Sequence, residues 1–157
     1  MTNAVARLGR VFRLPPRRWA GMARVAANAI LVEWSLRHEP LPRTAGRLGV
    51  GTGDPSGRES AALLLTIRER EAVDDVRRVI SRRPFNGTCL RQALLVGHAL
   101  RERRPVLQVG VRKDTSEVRA HAWLVVDGVV VDDFAPRPRA AAGFVVMPID
   151  LDEAGLR

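Results

Sequence analysis

An α+β domain is the fold class this sequence predicts, and three observations lead there. Apolar residues recur at helical spacing in the first two-thirds of the chain, then alternate from Val106 onward. Asp127-Gly128 sits between two β-branched runs, a strong short-range hairpin signal. Helices come first and strands after, so the helices pack on an antiparallel sheet instead of alternating with parallel strands. A chain of 157 residues suits one domain with a small helical addition.

The elements follow in order. Residues 1–14 read as a basic start. Pro15-Pro16 opens a helix, because proline is tolerated in a first helical turn. Trp19, Met22, Ala26, Ile30 and Val32 to Trp34 recur on it at helical spacing to about Arg37. Pro40 and Pro42 stop it. Residues 43–58 carry five glycines and Pro55 and read as a loop. The division drawn here is a helical annex with a Gly-rich linker over 1–58 and a core over 59–157. Ser60 is the expected N-cap of a second helix, with Leu64, Ile67, Val73, Val76 and Ile80 as its apolar positions. Glu71, Asp74 and Asp75 read as its solvated face. Thr88 or Asn86 caps a third helix that starts at Cys89, runs to about Arg103 and buries Leu90, Ala93, Leu94 and Leu100. Strands are expected at 106–111, 118–126, 129–134 and 144–147.

The formal charge is +9, and the surplus lies in the first half: residues 1–83 hold 16 arginines against 8 acids. Among the 26 basic residues only Lys113 is not arginine, most simply the mark of a GC-rich genome. An anionic partner is the functional alternative. Nucleic acid is not indicated: no zinc knuckle or helix-turn-helix is recognisable, and there is no tyrosine for stacking. The longest apolar stretch, Val25 to Val32, falls far short of the ~20 residues of a membrane span. With no signal-peptide pattern and a single cysteine, a cytoplasmic protein without disulfides is expected. One cysteine and dispersed histidines suggest no zinc site, and no Gly-Lys phosphate loop is present, so no cofactor is implied.

Cys89 lies in the run Phe85-Asn86-Gly87-Thr88-Cys89-Leu90-Arg91-Gln92, a loop ending at a helix start. His121-Ala122-Trp123 follows on a strand, and Asp133 on the next. The thiolate is the nucleophile, so a catalytic cysteine needs its ordinary pKa of about 8.5 lowered. A helix N-terminus favours the negative charge, and an adjacent His takes and holds the proton. Asp133 would fix the imidazole tautomer, and the Cys89 N–H is half of an oxyanion hole. Asn86 is the candidate for its second donor. Hairpin geometry leaves the carboxylate open. A two-residue Asp127-Gly128 turn puts Asp132 on the face of His121, whereas a three-residue bulged loop puts Asp133 there.

The segments Gly87-Thr88-Cys89-Leu90-Arg91-Gln92-Ala93-Leu94, Gln108-Val109-Gly110-Val111-Arg112 and Ala120-His121-Ala122-Trp123-Leu124-Val125-Val126-Asp127-Gly128 together resemble the lasso-peptide leader peptidases. These are transglutaminase-like cysteine proteases of bacterial lasso-peptide biosynthesis. The likeness spans roughly 84–147. It implies a transglutaminase/papain-like core and a Cys89, His121, Asp133 triad, and so favours the bulged loop. It implies cleavage of the leader from a ribosomally made precursor, typically just after a Thr at the leader's penultimate position. A separate ATP-using cyclase similar to asparagine synthetases then closes the ring. The leader-recognition domain fused to many members has no room here, so the split form with a separate small leader-recognition protein is implied. Leu124-Val125-Val126 departs from the family in lacking an acidic residue after the His-Ala-Trp motif.

Plainer readings stand beside these. Cys89 and His121 each fit a buried structural residue taken singly. Trp123 suits packing beside His121 more than substrate contact, and Arg91 either holds the loop or meets a substrate carbonyl. His38 and His98 have no assigned role. The same triad could transfer an acyl group to an amine, and the fold could serve as an adaptor that delivers the peptide to the cyclase without catalysis.

Overall fold

The computed structural model describes residues 16–53, 63–82, 84–85, 87–113, 117–131 and 143–149. Helices come first: α1 (Pro16–His38), α2 (Leu41–Arg47), α3 (Ile67–Ile80) and α4 (Cys89–Ala99), with strand β1 (Gly51–Thr52) between α2 and α3. A 3₁₀ turn, Arg101–Arg103, leads into β2 (Val106–Lys113), β3 (Val118–Val126), β4 (Val129–Val131) and β5 (Val145–Met147). The α+β expectation holds. The sheet runs β1-β2-β3-β4 with β5 also on β2, and it is mixed: β1 pairs with β2 in parallel, the other pairs are antiparallel.

Helix α1 buries only part of the expected stripe, Met22 and Val32. Met22, Ala29 and Val32 are buried, and Val25 and Leu36 pack against the core. That is a three-four alternation along one seam. Trp19, Ile30 and Trp34, expected inside, are exposed. Helix α1 ends before Pro40 as expected, but Pro42 starts α2, sitting in the first turn where its missing N–H costs nothing. The loop expected at 43–58 is thus partly ordered: Ala45 and Val50 enter the core, and Gly51 donates to the Pro105 carbonyl at 2.8 Å to join β1 to β2.

Helix α3 starts at Ile67, later than the Ser60 cap implied; Ser60 lies outside the described residues. Thr66 is the cap, in a capping box. The Glu69 N–H donates to Thr66 Oγ1 at 3.3 Å, and the Thr66 N–H donates to Glu69 Oε2 at 2.7 Å. Leu64 and Ile67 are therefore left exposed, while Val73, Val76 and Ile80 are buried as expected. Asp75, expected on a solvated face, is instead buried against α1. Arg18 reaches it at 3.1 Å, and Gly21 makes room for it, since a Cβ there would stand 2.6 Å from its Oδ2. Burial pushes its carboxyl up and the Arg18 charge opposes the shift.

Arg103 ties the helical layer to the hairpin. It donates to both Glu69 carboxylate oxygens at 2.6 and 2.8 Å, to Asp127 Oδ2 at 2.9 Å and to the Leu64 carbonyl at 3.1 Å. This fork, with the capping N–H of Thr66, holds the Glu69 carboxyl at about 2 against an ordinary 4.5. The folded-state value is the lower one. The stabilisation is therefore full above the ordinary value and is lost as pH falls towards about 2. Glu69→Gln should lower the melting temperature at neutral pH. The gap to wild type should narrow below pH 4.5 and close near pH 2 in a pH series of thermal melts.

Candidate active site

Cys89 is the first residue of α4 and is half-buried. Thr88 has the extended backbone of an N-cap, but its side chain makes no capping bond, so the first amides of α4 take no bond from it. Gly87 and Gln92 set the approach. Gln92 donates its side-chain amide to the Gly87 carbonyl at 2.7 Å. A Cβ on Gly87 would stand 2.6 Å from that amide and 3.2 Å from the Ile80 carbonyl. Glycine is thus what lets the loop pass between α3 and α4 and deliver the thiol to the helix end. Both residues belong to the motif quoted above, yet no role was assigned to either. A glycine two residues before a lone cysteine was the available signal.

Arg91 points sideways from the same turn. Its Nε lies 2.6 Å from Glu33 Oε2 on α1, and Arg37 holds the other Glu33 oxygen at 2.8 Å. This supports the loop-holding reading, since the ion pair fixes the start of α4 against α1.

The second and third motif segments meet on one sheet face. In the β2–β3 register Gln108 opposes Trp123 and Gly110 opposes His121. The Trp123 indole N–H donates to Gln108 Oε1 at 2.7 Å, and its ring crosses Gly110. His121 stacks on Trp123 with ring centres 5.9 Å apart, and Phe144 lies 5.4 Å from His121 and 6.3 Å from Trp123, so the three rings form one cluster. Arg112 covers Phe144 at 5.0 Å. Trp123 is only 3% exposed and packs beside His121.

Strand alternation sorts the residues of β3 onto two faces. Ala122, Leu124 and Val126 enter the core beneath α4, and Cys89 packs against that core. His121 and Trp123 leave from the opposite face. The hairpin differs from the bulged loop that favoured Asp133. Val126 pairs directly with Val129, and Asp127 and Gly128 have φ of 52° and 74°, the backbone of a two-residue primed turn. Asp132, Asp133 and Asn86 lie outside the described residues. Among the described residues no group of His, Cys, Asp and Glu is arranged to hold a metal, and no helix is long and apolar enough to cross a membrane.

The sequence profile of the Transglutaminase-like superfamily matches residues 11–147, most of the chain. The protein belongs to this superfamily, whose chemistry is cysteine protease or acyltransferase-type. The match covers α1 as well as the sheet, so the helical part and the core fall within one family unit. No curated protein and no solved structure matches the chain significantly.

Gly110 supplies a direct check on the aromatic packing around His121. An alanine Cβ there would stand 2.7 Å from Trp123 Cη2 and 2.9 Å from Phe144 Cβ. Gly110→Ala should cost about 1–3 kcal/mol in urea unfolding, the usual range for overpacking. Gly46→Ala, whose Cβ meets nothing within 4 Å inside α2, should be neutral or mildly stabilising.

Proposed function

We propose that this protein is a cysteine peptidase that removes the leader from a ribosomally made lasso-peptide precursor before ring closure. The observation that carries the reading is the single cysteine as the first residue of a buried helix in a Transglutaminase-like chain. Cys89 attacks the scissile carbonyl, and its own N–H helps to stabilise the oxyanion. His121 takes the thiol proton and returns it to the leaving amine. Water then releases the acyl-enzyme. Asp133 orients the imidazole in this reading. It reaches the His121 face if β4 carries one extra residue after Val131, and Asp132 takes the role if the two-residue register continues. The reading requires His121 to come within hydrogen-bond reach of Cys89, a contact that in such enzymes tightens with substrate bound. Val118 to Ala120, which lead into His121, are exposed and leave that end of β3 unburdened by packing. The partners in this reading are the precursor leader, a separate small leader-recognition protein and the asparagine-synthetase-like cyclase, in the cytoplasm.

A second reading is an adaptor that presents the peptide to the cyclase without cutting it, with the triad unused. Mass spectrometry of the precursor peptide incubated with the protein and its leader-recognition partner separates the two. The peptidase account expects a free-acid leader fragment from wild type and none from Cys89→Ala. His121→Ala should lose at least about a hundredfold in rate, the lower range for general-base removal. Between Asp132→Asn and Asp133→Asn, only the orienting residue should show a comparable loss. A fragment lacking the added water, with the acyl group on an amine, would indicate transfer. An intact precursor with the partner bound would support the adaptor.

A further inference from the structure

Beside the start of α4 lies a groove of about 490 Å³ between α1, the end of α3 and the loop before Cys89. Its walls include Ile30, Trp34, Phe85 and Leu95, and its rim carries Arg37 and His38. Trp34 is 51% exposed and Ile30 62%, on a helix whose opposite seam is in the core. Trp34 is nevertheless held in place. His38 stacks on it with ring centres 4.8 Å apart at 23°, and the His38 Nδ1 lies 2.7 Å from the Trp34 carbonyl. A large exposed ring that is braced before anything binds is the form of a recognition anchor.

We infer that this groove binds the peptide substrate through an apolar side chain set against Trp34 and Phe85, with an adjacent acidic group at Arg37. The inference rests on the peptide-processing reading above and identifies what selects the substrate. Three features point to that occupant. Pro84 and Phe85 line the groove within a few residues of Cys89, and Arg91 and Leu95 line it from α4 itself, so a chain seated there lies at the thiol end of the helix. The rim is basic: Arg37 is 70% exposed while it holds Glu33, and it belongs to a half-chain whose charge is strongly positive. An acidic residue at the rim meets that charge, whereas a basic one is repelled. Finally, the Glu33–Arg91 ion pair ties the groove wall to the first turn of α4, so a peptide pressing on α1 acts on the element that carries Cys89.

The test uses the full chain with Cys89→Ala, labelled and applied to an array of short peptides that vary in aromatic content and charge. Enrichment is expected for peptides that pair a large apolar residue with a neighbouring acidic one, and it should weaken as salt rises. Trp34→Ala and Arg37→Glu should each lower the bound signal about tenfold. Arg43→Glu, the same charge change on exposed α2, should leave it nearly unaltered. Preference for basic peptides, or binding unaffected by both groove variants, overturns the inference. Binding is read without catalysis, so a failed cleavage assay with an intact array result would count against the peptidase reading alone.

Discussion

Helix α4 lies so close to the sheet that one glycine decides the spacing. A Cβ on Gly97 would stand 2.6 Å from Val50 and 3.4 Å from Leu124. With that gap closed, Ala93, Leu94, Val96 and Leu100 of α4 and its end pack on Leu107 and Leu124, all nearly inaccessible to solvent. Fully buried leucines contribute roughly 1.5–3 kcal/mol each, so this contact is where much of the domain's stability resides. It also fixes the helix axis. Because the helix is rigid, its first residue, Cys89, is placed by packing at the opposite end, and α1 and the Gly87–Gln92 loop only trim its position. The function proposed for this protein therefore depends on a hydrophobic contact made away from the reacting atom.

Much of this was legible in the residues. The helical and alternating periods separate the two halves of the fold, and Asp127-Gly128 marks its hairpin correctly. Cys89 falls at a helix start as its neighbours suggest. What was not legible depended on partners distant in sequence. Trp19, Ile30 and Trp34 are hydrophobic and helically spaced, but hydrophobicity does not say which face of α1 meets α3 and α4. The structure sets Met22, Val25, Ala29 and Val32 on the buried seam and leaves the aromatics in solvent. Thr66 wins over Ser60 as a cap because Glu69 stands three residues on and Arg103 fixes it. Asp75 looks like a surface acid until Arg18 and Gly21 are brought beside it. The two-residue turn was one of two geometries the sequence allowed. The family likeness favoured the other.

The site shows the same division between local and distant information. Local motif chemistry identified Cys89, His121 and Trp123 as neighbours in kind. Strand parity then set the imidazole beside Trp123 and Phe144, opposite Gly110. A single-residue change of register reverses parity along a strand, so the relation of His121 to Cys89 is the point on which cysteine chemistry turns.

The measurement that addresses this most directly is the rate of Cys89 alkylation by iodoacetamide as a function of pH, in wild type and in His121→Ala. There is one cysteine, so the signal has a single source. The account predicts that, at neutral pH and below, Cys89 of wild type is alkylated faster than that of His121→Ala. Profiles that coincide for the two proteins would contradict a Cys89–His121 pair and leave the chain as a carrier of the peptide.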